Sequence, residues 1–205
     1  MGFLVVVRHG QSEWNKANKF TGWVDVSLSE KGVQEAKNAG EQLKDFKFSK
    51  AYTSGLKRAA NTLAHILEVS GQAEVSVIAN EALNERHYGD LQGKDKDQVR
   101  QEFGEEQVHI WRRSYDIAPP GGESLKDTLE RVIPYYEANI KPELEKGEDL
   151  IISAHGNSLR ALIMHLEGLS SDEILGREVA TGSPIIYEFD NEMNMVSTKV
   201  LEKAK

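Results

Sequence analysis

Residues Val5-Val6-Val7-Arg8-His9-Gly10-Gln11-Ser12 and Ile151-Ile152-Ser153-Ala154-His155-Gly156-Asn157-Ser158 repeat one arrangement, an apolar β-branched run that ends in His-Gly-x-Ser. Short apolar runs closed by glycine read as buried strands. Each histidine therefore stands where a strand stops, and in an open α/β sheet the carboxyl ends of strands are where ligands bind. Two histidines delivered to one sheet edge, with Arg8 beside the first, point to a site for a phosphorylated substrate.

Outward from these runs, the pattern alternates. A first strand over 3–7 and a loop to residue 28 precede a helix over 29–43, with Val33, Ala36, Gly40 and Leu43 on one face. A short strand at 51–53, a helix over 57–69 and a strand around Val75 and Val77 follow. The polar, arginine-rich stretch 81–122 holds short helices near 96–103 and 108–113 and reads as a cap over the strand ends. Ser124 with Asp127 starts a helix reaching residue 140, along which Leu125, Leu129, Val132, Ile133 and Tyr136 share a face. After the second histidine come a helix near 159–166 and strands over 185–189 and 196–201, paired as a hairpin across 190–194. The expected fold is one α/β domain spanning 1–205: a three-layer sandwich with a mostly parallel central sheet, helices on both faces and a capping segment.

Composition narrows the function. The chain has 205 residues, 39% hydrophobic and 28% charged, an ordinary globular profile. No apolar run approaches the roughly 20 residues that span a bilayer, and no basic-then-apolar leader is visible, so no membrane partner or secretory signal is expected. The absence of cysteine removes disulfides and thiolate metal sites and is compatible with the cytoplasm. A net charge of −8 argues against nucleic acid and makes basic residues near the histidines informative, because an acidic chain must concentrate positive charge locally to attract an anion.

A neutral imidazole at His9 is a competent nucleophile toward phosphorus. The transferring group carries charge on three oxygens, so the site needs fixed positive charge, for which Arg8, Arg58 and a protonated His155 are candidates. One strand-end histidine is as readily a packed core group as a reactive one; a matched pair in Arg-His-Gly and Ala-His-Gly contexts favours a site. Phosphate-loop and metal-ligand spacings are missing, and His65, His87, His109 and His165 are scattered, so no metal is expected. Adjacent Arg112 and Arg113 repel each other unless an anion lies between them, and by themselves read as two solvated helix arginines. Trp14, Trp23 and Trp111 read as packing residues.

The stretch Arg8-His9-Gly10-x-Ser12-x-x-Asn15 resembles the signature of the histidine phosphatase superfamily, which mutases and phosphatases share. Further blocks resemble, almost end to end, the cofactor-dependent phosphoglycerate mutases. They include Phe20-Thr21-Gly22-Trp23, Tyr52-Thr53-Ser54-x-Leu56-Lys57-Arg58, Asn84-Glu85-Arg86-His87-Tyr88-Gly89, Trp111-Arg112-Arg113 and the run from Ala154 to Leu162. The resemblance implies interconversion of 3-phosphoglycerate and 2-phosphoglycerate, in glycolysis and gluconeogenesis, with 2,3-bisphosphoglycerate as primer. It implies that His9 becomes phosphorylated, that Glu85 is the general acid and base, and that Arg8, Arg58 and His155 hold the transferring group. Asn15, Thr21, Gly22, Arg86, Tyr88, Lys96, Arg112, Arg113 and Asn157 would bind the rest of the substrate, with Gly10, Ser12, His87 and Gly156 at the same site. Lys94 is placed as well as Lys96. Longer members carry additional residues between Pro120 and Glu123, so lid closure and the choice between monomer and homodimer stay open. The rival readings are a phosphatase on the same scaffold and a silent module that only binds phosphorylated ligands.

Overall fold

The valine run of β1 lies in the middle of a six-stranded sheet in the computed structural model, which describes residues 2–202. The chain runs β1 (Gly2–Arg8), α1 (Glu13–Lys16), α2 (Glu30–Gln42), β2 (Lys50–Thr53), α3 (Lys57–Val69), β3 (Ser76–Ala79), α4 (Lys96–Phe103) and α5 (Glu105–Arg113). It continues through α6 (Leu125–Tyr135), a π turn at Tyr136–Ile140, α7 (Lys141–Glu145), β4 (Leu150–Ala154), α8 (Gly156–Glu167), α9 (Ser171–Leu175), β5 (Pro184–Phe189) and β6 (Met195–Val200). The sheet order is β3-β2-β4-β1-β5-β6. Pairings β3–β2, β2–β4 and β4–β1 are parallel, and β5 alone runs against the rest.

Alternation along the strands divides the core into two layers. Leu4, Val6, Tyr52, Ile152 and Ala154 pack with Leu125, Val132, Leu159 and Leu162 of α6 and α8. Val5, Val7, Ala51 and Ile151 pack on the other face with Ala39, Leu63, Ile66 and Leu67 of α2 and α3. Burial on both faces is why these strands read as continuous apolar runs. The expected three-layer arrangement and the 190–194 hairpin are both present. Among the described residues no helix is long and apolar enough to cross a membrane.

The structure corrects several local expectations. The stretch expected as loop before residue 28 contains α1, because Ser12 and Asn15 cap each other's backbone N–H groups. The buried face of α2 is Gly32, Glu35, Ala36, Ala39 and Gly40, with Val33 only half-buried. Gly32 sets that rotation: it brings the backbone after β1 against the helix, where a side chain would not fit. The strand at Ser76–Ala79 is an outer edge, and Val77 is 49% exposed, so its alternation did not signal burial. The helix begun by the Ser124–Asp127 capping box widens into the π turn soon after Pro134, which lacks an N–H for the helical ladder. α8 starts at Gly156, making His155 its N-cap, and α9 was not anticipated.

The segment between β3 and α6 has its own small core of Leu91, Val99, Val108 and Trp111, closed by Phe20. A Cβ on Gly32 would stand 2.0 Å from the Gln11 carbonyl oxygen, and one on Gly10 would stand 2.1 Å from the Gly32 carbonyl oxygen. Both neighbours are backbone and cannot rotate away. Gly32→Ala should therefore cost about 1–3 kcal/mol, read as a lower midpoint in thermal denaturation; an unchanged midpoint would show that the two backbones separate freely.

Candidate active site

His9 follows β1, and its backbone N–H donates to the Ala154 carbonyl at 3.0 Å, extending the β1–β4 ladder past the strand end. Its ring centroid lies 5.0 Å from that of His155. His9 is buried, and its Nδ1 stands 2.7 Å from the Gly10 carbonyl oxygen. A carbonyl has no proton to give, so Nδ1 carries the hydrogen and Nε2 keeps a lone pair. Burial, then the charges of Arg58 and Arg8, hold the His9 pKa well below its ordinary value, more than the Gly10 bond raises it. His9 is thus a neutral imidazole with a free Nε2.

His155 is fully buried, with Nε2 2.7 Å from the Ser54 hydroxyl. Burial, Arg58, His9 and Arg8 push its pKa well down. Arg58, on the first turn of α3, donates to the carbonyls of Gly22 at 2.7 Å and Val24 at 3.0 Å, which ties the Thr21–Gly22 loop to the site. Gly22 adopts a left-handed φ of 57° there. Burial lowers Arg58 to about 10, which leaves it charged at neutral pH.

Glu85 lies on the segment between two 3₁₀ turns and is 7% exposed. Its Oε1 accepts from the backbone N–H groups of Arg86 and Asn157, both at 2.9 Å. The second donor belongs to the N-terminal turn of α8. Gly156 lies beside both the Arg8 guanidinium and Glu85 Oε2. One oxygen is pinned and the other is left for proton transfer.

These groups open on a cavity of about 190 Å³. Arg8, Asn15, Thr21, Gly22, Arg58, Glu85, Tyr88, Lys96, Arg112, Arg113, Gly156 and Asn157 line it with His9. Of the expected site residues, Gly10, Ser12, Arg86, His87 and the fully buried His155 do not line it. Gly10 gives its N–H to Thr62, and Ser12 is the α1 cap. Arg86 is buried, donating to the Tyr88 hydroxyl and the Arg112 carbonyl. His87 packs edge-on against Trp23 and accepts the Gly89 N–H. Lys96 reaches the cavity, whereas Lys94 lies over Phe103. Lys19, Arg160 and Glu178 line it unforeseen: Lys19 adjoins the Phe20 block and Arg160 lies inside the His155 block, but Glu178 carries no local signal. Its carboxylate pairs with Arg113 at 2.7 Å, so the anion expected beside the arginine pair includes one from the chain itself.

Cations dominate the lining, and several buried polar atoms at the site have no partner among the described residues: the donors Arg8 Nε, Thr21 Oγ1, Arg86 Nε and Nη1 and Arg160 Nε, and the ring nitrogen His155 Nδ1. An unpaired buried donor costs about 1–3 kcal/mol. A polyanionic phosphate ester fits such a set. Among the described residues no group of three or more His, Asp or Glu side chains is placed to hold a metal ion.

Residues 4–200 match the family model of the histidine phosphatase superfamily, branch 1. A phosphoglycerate mutase of Schizosaccharomyces pombe is 58% identical over 201 residues, 97% of this chain and 95% of that protein. A 2,3-bisphosphoglycerate-dependent phosphoglycerate mutase of Bartonella bacilliformis is 59% identical over 97% of this chain and 98% of its own length. Among solved structures, a mycobacterial glucosyl-3-phosphoglycerate phosphatase superposes with a TM-score of 0.83 at 27% identity, covering 98% of this chain and 99% of that one.

The depressed histidines make folding depend on pH. When unfolded, each takes up a proton near its ordinary value of 6.5; folded, each resists it. Their contribution is complete above about pH 6.5 and is lost as pH falls below it, at up to about 1.4 kcal/mol per pH unit for each histidine. Denaturant unfolding between pH 6.5 and 5 should show this decline, shallower by about one proton in His155→Asn. Equal slopes in the two proteins would contradict the assignment of a neutral His155.

Proposed function

The chain belongs to the histidine phosphatase superfamily, and we propose that it interconverts 3-phosphoglycerate and 2-phosphoglycerate through a phosphohistidine at His9. The observation that carries this reading is the pairing of a free His9 Nε2 with a half-pinned Glu85 at the foot of a cationic cavity. The Nε2 lone pair attacks phosphorus, and the bond from phosphorus to the ester oxygen breaks. That oxygen takes a proton from Glu85 Oε2, which in the reverse sense removes the proton of the attacking hydroxyl. The Gly10 carbonyl shares the positive charge that the ring acquires. Arg8, Arg58 and His155 hold the phosphoryl oxygens.

The orphaned donors and the cationic lining fit 2,3-bisphosphoglycerate, which when bound supplies the phosphoryl group that primes His9. We read the reaction as independent of metal, because Arg8, Arg58 and Lys96 already provide the positive charge that a cation would bring and would repel one. The chain acts as one catalytic domain, and its reading as a glycolytic enzyme places it in the cytoplasm.

A phosphatase would use the same His9. The relatives named as mutases share 58% and 59% identity, the phosphatase neighbour 27%. Arg112, Arg113, Arg160 and Asn157 form a further group of donors at the cavity, suited to holding the end of the molecule that is not reacting. Substrate must compete with Glu178 for Arg113.

Incubation with 2,3-bisphosphoglycerate in the presence of a chelator should add one acid-labile phosphate by mass, and His9→Ala should abolish both the adduct and turnover. Turnover near that of the unaltered protein in the variant would overturn the nucleophile. Loss of Arg113 removes a charge-assisted hydrogen bond worth about 1.5–3 kcal/mol, so Arg113→Ala should lower mutase turnover by roughly one to two powers of ten. Release of phosphate to water should fall less, or rise. A strictly proportional fall in both rates would remove Arg113 from the retaining group.

A further inference from the structure

We propose that Arg131, outside the cavity, is the positioning residue for the general acid and base, an inference that rests on the role given above to Glu85. Arg131 projects from α6, and every N–H of its guanidinium is engaged. Nε donates to Glu123 Oε1 and Nη2 to Glu123 Oε2, each at 2.8 Å. Nη1 donates to the carbonyls of Ala82 at 2.8 Å and Asn84 at 2.9 Å, and Nη2 also donates to the Glu85 carbonyl at 2.9 Å. A guanidinium has five donors in a rigid fork. Here three of them grip the backbone of the segment that ends at Glu85, and the other two grip a carboxylate that itself accepts the His87 N–H at 2.8 Å. The clamp therefore closes on both sides of the catalytic carboxyl. Trp23 completes it: the indole N–H donates to the same Glu85 carbonyl at 2.6 Å, and its ring lies 5.6 Å from the guanidinium.

The segment needs such a device. Between β3 and α4 it forms only two 3₁₀ turns, so few of its carbonyls are satisfied by regular structure. The side-chain bonds of Glu85 Oε1 to Arg86 and Asn157 hold only while the Glu85 backbone stays where α8 can reach it. Arg131 ties that backbone to α6, which packs on α8, and so sets the distance from Glu85 Oε2 to the ester oxygen. A lysine has three donors and no fork, and cannot reproduce the clamp.

The test uses the dependence of phosphoryl transfer on the leaving group. An alkoxide leaving from phosphorus needs the Glu85 proton; a nitrophenolate does not. Phosphorylation of His9 is followed by rapid quench from 2,3-bisphosphoglycerate and from a nitrophenyl phosphate, in Glu85→Gln, Arg131→Lys and Trp23→Phe. Arg131→Lys should slow transfer from the alkyl donor by about 10- to 100-fold, the scale of a small misplacement, and from the aryl donor by less than about twofold. Trp23→Phe should show the same selectivity with a smaller loss, and carries the test should Arg131→Lys fail to fold. Selectivity in Glu85→Gln with equal losses for both donors in Arg131→Lys and Trp23→Phe would overturn the role of Arg131 and leave that of Glu85 standing. Equal losses in Glu85→Gln would overturn both.

Discussion

The hydrogen bond from the His9 N–H to the Ala154 carbonyl, at 3.0 Å, continues the parallel β1–β4 ladder beyond the last strand residue. Because the two strands are parallel and in register at Arg8 and Ala154, their next residues emerge side by side at one sheet edge. Those residues are His9 and His155. Parallel neighbours of β4 bring a third strand end to the same edge, and from β2 the chain passes through Ser54 into the helix bearing Arg58. Nucleophile, cation and buried histidine thus owe their proximity to backbone pairing in a core that is closed on both faces.

The price of this arrangement is a concentration of unpaired polarity. Arg8, Arg86, Arg160 and His155 carry buried polar atoms that have no partner among the described residues, in a chain whose net charge is −8. Mutual repulsion and desolvation act together: burial lowers Lys96, Arg112 and Arg160, with neighbouring arginines acting in the same direction. Tyr88 is lowered as well, although burial alone would raise its hydroxyl, because Arg86 and Arg112 outweigh that. The cations of the site favour the anionic form of Tyr88. A phosphate ester relieves both costs, which makes binding and stability two aspects of the same electrostatics.

Precision within the site comes from outside it. The orientation of the Asn157 amide is set by Arg160, which donates to its oxygen at 3.2 Å and to the Ile174 carbonyl at 2.6 Å. The loop carrying Thr21 and Gly22 is held by Arg58, and the segment carrying Glu85 by Arg131 and Trp23. Arginine recurs because one rigid fork can satisfy several carbonyls of irregular backbone at once.

Strand runs, helix caps and the two histidine strand ends were legible without coordinates, because they depend on neighbours a few residues apart. The Ser124–Asp127 cap and the bounds of α4 follow from such local rules, and family resemblance added Glu85 and the cavity-lining Lys96, Arg112 and Arg113. Other properties are relations between distant segments. That His9 keeps Nε2 free depends on where the Gly10 carbonyl turns, and the use of Glu85 Oε2 depends on α8 approaching from 72 positions along the chain. The preference for Lys96 over Lys94, the pairing of Arg113 with Glu178, and the roles of Arg131 and Trp23 are of the same kind. An arginine on a helix has no periodic signature that separates a solvated side chain from a clamp. Its partners are carbonyls, which every residue possesses, and only folding decides which of them it meets.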